Sequence, residues 1–130
     1  MDSVIERCIE LARENTNVDV LWLYGSRAKG TAQRTSDYDL AVAFHDWPTD
    51  TWQRRLQSEM LALDWMEALS LPEKALSVVD IDLAPLPLAY NVIETGQVLL
   101  AKDGLRLARE ENRITSMWEL DYLYHRQHYG

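Results

Sequence analysis

Cysteine occurs once in these 130 residues, as Cys8, so an intrachain disulfide and a thiol-rich metal site are both excluded. It falls on the apolar side of an expected helix with Val4 and Leu11, a setting for core packing rather than redox chemistry. No run of ~18 uninterrupted apolar residues exists, which excludes a bilayer-spanning helix. Basic residues are in deficit: 13 Lys and Arg face 21 Asp and Glu, a net charge of −8. That sign is wrong for tracking a polyanionic backbone, so free DNA or RNA is excluded as the main partner, and a basic or mixed-charge protein is easier to meet. Asp2, Glu6 and Glu10 interrupt the N-terminal apolar residues, leaving neither the basic start nor the apolar stretch of a secretory signal; the expected location is the cytoplasm. Internal repeats, low-complexity segments and linkers are missing too, so a single domain over residues 1–130 is expected.

What is present alternates between two periods. Residues 3–15 read as an amphipathic helix, and Val18 to Tyr24 as an apolar strand buried on both faces and bounded by Gly25. A short helix over 26–32 and a turn at Thr35-Ser36 lead into a strand over 37–44. There Tyr38, Leu40, Val42 and Phe44 face one way and Asp37, Asp39, Ala41 and Ala43 the other. A helix over 51–70 is expected to pack on the sheet through Trp52, Leu56, Met60, Leu63 and Met66. A strand over 76–83 would put Asp80 and Asp82 on one face. A helix from Leu86 to a C-cap at Gly96, a short strand over 97–101 and a last helix over 103–125 complete the chain. The fold class is therefore α/β or α+β, a small sheet covered by helices.

Two features carry chemistry. Gly25 has no Cβ, so a phosphate can approach its backbone; Ser26 offers a hydroxyl, and the helix that follows turns free N–H groups toward an anion. Arg27 and Lys29 add cations nearby, and Ser36 precedes the acids. Ten residues after Ser26 come Asp37 and Asp39. An exposed Asp at a strand start is commonplace, but Asp39 is embedded in an apolar stretch where Asp is depleted. Two same-face carboxylates suit Mg²⁺, which takes few protein carboxylates together with water and substrate phosphates. Phosphoryl transfer with two metals calls for a further acid, for which Asp80 is preferred and Asp82 is the alternative. Other polar residues read as structural: His45 has no second His or Cys near it, His125 and His128 decorate the terminus, and Arg34 reads as a solvated loop residue. Trp118, Tyr122, Tyr124 and Tyr129 suit a partner-binding face or the packing of the last helix equally.

Gly25-Ser26, ten residues, then Asp37-Tyr38-Asp39 resembles the signature of the DNA polymerase beta-like nucleotidyltransferase superfamily. The string Leu23 to Thr31 with Ser36 to Leu40, and then Val79 to Leu83, Pro85 to Leu88 and Val92 to Gly96, is similar to its minimal nucleotidyltransferase (MNT) branch, in particular to MNT antitoxins encoded beside HEPN toxins. The resemblance covers about residues 1–125. It implies a small mixed sheet with flanking helices, two Mg²⁺ ions, and ATP as nucleotide donor. It further implies that Gly25 and Ser26, with Arg27 and Ser36, bind the nucleotide, that Asp37 and Asp39 bind metal, and that Asp80 completes the site and activates the acceptor. The acceptor implied is a tyrosine of a HEPN ribonuclease toxin, silenced by the attached AMP. The Asp80/Asp82 doublet departs from the branch, which often spaces two acids three apart. Rival expectations are an antitoxin that neutralises by binding alone, and nucleotidyl transfer to a small molecule with a second protein holding the acceptor.

Overall fold

A computed structural model describes residues 2–33 and 35–129, with the backbone alone for His128 and Tyr129. Arg34 and the side chains of His128 and Tyr129 thus lie outside the described residues. Helix α1 (Ser3–Glu14) starts at Asp2, whose carboxylate accepts from Val4 N at 2.7 Å, and it buries Ile5, Cys8 and Ala12. Cys8 packs as expected, and burial pushes its thiol up to about 12, which keeps it un-ionised and inert. Strand β1 (Val18–Tyr24) is buried along its whole length. Helix α2 is a single turn (Ser26–Lys29) shorter than predicted, because Gly30 adopts a left-handed conformation (φ 75°) and its N–H closes on Ser26 O.

Strand β2 (Tyr38–Phe44) follows, then α3 (Thr51–Ala68), β3 (Leu76–Asp80), α4 (Leu86–Thr95), β4 (Gln97–Ala101) and α5 (Gly104–Tyr129). The strands form one sheet in the order β3-β2-β1-β4. β1 pairs antiparallel with β2 and β4, and β2 pairs parallel with β3, so the sheet is mixed as anticipated. One face carries Leu21, Leu23, Leu40, Val42, Phe44 and Val78 against α1 and α3. The other carries Val20, Trp22, Tyr24, Ala41 and Ala43 against α4 and α5. The alternation read in β2 is thereby realised, with the odd-numbered residues on the α4/α5 face. Among the described residues no helix is long and apolar enough to cross a membrane.

Two expectations about elements need correction. The inward face of α3 is Ser58, Leu61, Ala62, Trp65 and Met66, whereas Trp52, Met60 and Leu63 are exposed. The largest apolar residues do not define that face; small residues at 58 and 62 let the helix approach the sheet, and Trp65 fills the space beside them. The third strand ends at Asp80 rather than Leu83. The N–H groups of Leu83 and Ala84 both turn back to Asp80 O, at 3.0 and 2.9 Å, which places Asp82 in a turn. Gly96 does cap α4, with an extended backbone.

Candidate active site

The end of the sheet where β1 finishes and β2 begins holds the Gly25-Ser26 turn and the first acid pair. Tyr24 pairs with Asp39 across β1 and β2, and the chain then breaks into α2 at Gly25. Gly25 has φ 73° and ψ −156°, a region open essentially to glycine alone. A Cβ there would stand 2.5 Å from Asp39 Oδ2, so the backbone of the turn and the carboxylate meet only because residue 25 has no side chain. Ser26 and Arg27 begin the single turn of α2, in which the N–H groups of Ala28 and Lys29 both donate to Gly25 O at 3.2 Å. Gln97 of β4 steadies this turn by donating from Nε2 to Ala28 O at 2.9 Å.

Asp37 is exposed and Asp39 half-buried. Burial, with the Asp37 charge behind it, raises Asp39 above the ordinary carboxylate range. Burial and the Asp39 charge likewise raise the Tyr24 phenol. A carboxylate that is half-desolvated and faces a like charge gains from a cation. The pair therefore fits a Mg²⁺ ion that keeps water and phosphate oxygens as its remaining ligands.

Arg27 is engaged behind the loop with Ser36, Tyr38 and Asp2. Its Nη2 and Nε donate to Ser36 O at 2.6 and 3.1 Å, its guanidinium lies 3.8 Å from the Tyr38 ring centroid, and Nη1 is 3.4 Å from Asp2 Oδ2. Tyr38 OH donates to the same Asp2 oxygen at 2.8 Å. Tyr38 projects to the α1/α3 face, so Arg27 braces the loop from behind rather than reaching toward phosphate. Ser36 belongs to the same brace: its carbonyl is held by Arg27, and its Oγ accepts from Gln33 N at 2.9 Å.

Asp80 and Asp82 are not brought to Asp37 and Asp39. In the parallel β2–β3 register Asp39 is opposite Ser77, while Asp80 is opposite Val42. Three residues of strand separate those levels, roughly 10 Å at ~3.3 Å per residue. Asp80 also has the parity of Val78, which packs on the α1/α3 face, opposite to Asp39. Its Oδ1 accepts from Asp82 N at 2.9 Å, closing a local turn, and burial raises its pKa. Asp80 is thus a turn-former at the far end of the sheet, and this corrects its expected place as third ligand. Among the described residues, no three His, Cys, Asp or Glu side chains are grouped to hold a metal ion.

Asp82 joins an ion-pair network that the sequence pattern did not reveal. Buried Arg106 of α5 donates to Asp82 Oδ2 at 2.7 Å, Glu110 Oε1 at 2.9 Å, Asp19 Oδ2 at 3.4 Å and Phe44 O at 2.9 Å. Arg113 reaches both Glu110 and Asp82. Burial and the neighbouring Glu110 push Asp82 up to about 6. His45 sits at this end as well, with Nδ1 3.2 Å from Asp19 Oδ2 and its ring largely exposed, far from the Gly25-Ser26 turn. A signal for the network did exist: Arg106 and Glu110 are four apart on a helix, and Asp19 interrupts an apolar strand. On α5 itself, Trp118 stacks on Tyr90 with centroids 4.3 Å apart, whereas Tyr122 and Tyr124 are exposed.

Similarity to known proteins follows the same outline. No curated protein matches the chain. A chain from the crystal structure of a toxin–antitoxin with AMP-PNP superposes with a TM-score of 0.74 at 24% identity, covering 95% of this chain and 93% of that one. A chain from the MntA-HepT toxin–antitoxin gives 0.68 at 21%, covering 95% and 92%. A third, from the tri-AMPylated Shewanella oneidensis HEPN toxin in complex with MNT antitoxin, gives 0.68 at 20%, covering 95% and 91%. These likenesses establish the shared fold. The model of the polymerase beta nucleotidyltransferase family matches residues 6–104, from α1 through the start of α5, and the chain belongs to that family.

Proposed function

We propose that this chain is the antitoxin nucleotidyltransferase of a HEPN/MNT pair, which takes ATP at the Gly25–Asp39 end of the sheet and passes AMP to a tyrosine hydroxyl of its toxin. The observation that carries this reading is the close approach of the Gly25 backbone to Asp39, because it sets a turn open to phosphate beside a carboxylate open to a cation. The backbone of Gly25 and Ser26 would receive the triphosphate, with Asp37 and Asp39 holding Mg²⁺ on its oxygens. An ion held by these two carboxylates would supply charge screening for the phosphate oxygens. The toxin oxygen bonds to the α-phosphorus as its bond to the β-phosphate oxygen breaks; pyrophosphate leaves, and the phenolic proton passes to solvent. Arg27 and Ser36 act by holding the 33–36 turn that presents Asp37.

A protein acceptor is favoured by the net charge of −8, which repels nucleic acid. It is favoured also by the relatives of like fold, described with AMP-PNP in one case and with an AMPylated HEPN toxin in another. The setting would be the cytoplasm. Incubating the chain with the product of the neighbouring reading frame, Mg²⁺ and ATP should add one or more AMP units to the partner's intact mass. An unmodified partner whose toxicity is nevertheless neutralised would overturn it.

A second reading, neutralisation by binding alone, is favoured by one observation: the residue opposite Asp39 on β3 is Ser77, not an acid. Asp37→Ala combined with Asp39→Ala separates the two. Protection that survives the double substitution selects binding; protection that is lost selects transfer.

A further inference from the structure

We infer that the pocket seats one cation with its nucleotide, and that the place of a second, acceptor-side cation lacks a protein ligand because residue 77 is serine. This rests on the nucleotide site proposed above and concerns its metal count. Within a sheet a side chain has two lateral neighbours, one on each adjoining strand. For Asp39 they are Tyr24 on β1 and Ser77 on β3.

Both share its face. Tyr24 packs with Trp22 and Ala41, and Ser77 has the parity of Val79, which packs against the α4 side with Ala41. Neither is an acid. A phenol and an exposed serine hydroxyl are both uncharged groups, and neither suits a hard divalent ion that selects carboxylate and phosphate oxygens. The next acids along the chain do not reach this place: Asp80 stands three residues further along β3 and on the other face, and Asp82, in the turn beyond β3, is held by Arg106 and Arg113 at 2.7 and 3.4 Å.

Two cations about 3.5–4 Å apart require ligands shared between them and a further acid on the acceptor side. Asp37 and Asp39 supply the shared part alone. The chain therefore grips a metal–nucleotide complex with an ordinary two-carboxylate site, yet brings no carboxylate of its own to the acceptor hydroxyl. One substitution on an exposed, already aligned strand position would supply it.

The test is a count of Mn²⁺ by electron paramagnetic resonance, with an ATP analogue carrying methylene in place of the α,β-bridging oxygen. One Mn²⁺ per chain is expected. Ser77→Asp should bind a second at least tenfold more tightly than the parent does, whereas Ser77→Ala and Asp80→Asn should leave the count at one, with circular dichroism confirming that each variant is folded. Two ions in the parent, or a folded Ser77→Asp variant that gains none, would overturn the single-cation assignment while leaving the nucleotide site standing. No analogue uptake with any metal would overturn the nucleotide site itself, and the count with it.

Discussion

Replacing Gly25 by alanine perturbs the pocket at the point where its two halves touch. The added methyl would lie 2.5 Å from Asp39 Oδ2 and 3.4 Å from its Cγ, so the carboxylate must retreat by roughly 1 Å to regain an ordinary contact of about 3.4 Å. Separately, φ 73° with ψ −156° is strained for any L side chain, at about 1–3 kcal/mol. The strain falls on global stability and the retreat falls on the site, and the two effects are separable. For a chain of this size ~1 kcal/mol moves the melting temperature by about 3–5 °C, so a drop of roughly 3–15 °C is expected from strain. Misplacing a positioning group by ~1 Å can lower a rate by up to ~10²-fold. A Gly25→Ala variant should thus lose metal-dependent uptake of ATP analogue in calorimetry at temperatures where it is still fully folded. If it melts lower but takes up nucleotide and metal like the parent, the contact is structural and the pocket lies elsewhere.

Other perturbations divide structure from site. Arg106→Met takes the shared guanidinium from buried Asp19 and Glu110 and half-buried Asp82, leaving only exposed His45 and half-exposed Arg113 beside them, and should lower urea stability by about 3–5 kcal/mol; a loss under ~1 kcal/mol would contradict the network. Asp82, pushed up from 3.8 to about 6, favours the fold in its protonated form, so its contribution is complete below about pH 4 and is lost as pH rises through about 6. That difference is worth up to ~3 kcal/mol, and Asp82→Asn should remove this downward component from stability measured between pH 4 and 6.5. Glu110 runs oppositely: burial raises it, but hydrogen bonds with Asp82, Arg113 and Arg106 more than offset this, so its contribution is lost as pH falls below the usual carboxylate range. Trp65→Ala should cost about 3–5 kcal/mol and Trp52→Ser less than ~0.5, since only the first is buried in α3. Arg27→Lys keeps the charge but not the paired grip on Ser36 O; it should loosen the 33–36 turn, seen as faster amide exchange at Ser36 and Tyr38, without changing the salt dependence of ATP binding.

How far the sequence reveals this protein depends on the reach of each signal. β1, the Gly25 break and the face of Asp39 are local facts: an apolar run, a missing Cβ and a period of two, each complete within a few residues, whereas Asp37 precedes β2, which starts at Tyr38 rather than at 37. The packing face of α3 is not local. Size pointed to Trp52, Met60 and Leu63, but the sheet accepts a helix where Ser58 and Ala62 let it come close. Charge was legible at Arg27, but direction was not, because the Tyr38 ring and Asp2 that draw it away lie on elements met elsewhere in the chain.

Register is the least legible property, and the candidate site turns on it. β2 and β3 are joined through α3, so no hairpin turn fixes which residue of one meets which of the other; the length of that helix and its seating on the sheet decide. Asp80 and Asp82 sit in the right segment for a third ligand and read as one. The side chain that faces Asp39 is set three residues earlier, and there the chain has serine. An acid in a strand is informative only together with its level along the strand and its face. Asp80 fails on both counts, and its own turn explains why an aspartate stands there: Oδ1 takes the N–H of Asp82 just where β3 must stop so that Pro85 can open α4 over the face that carries Asp39.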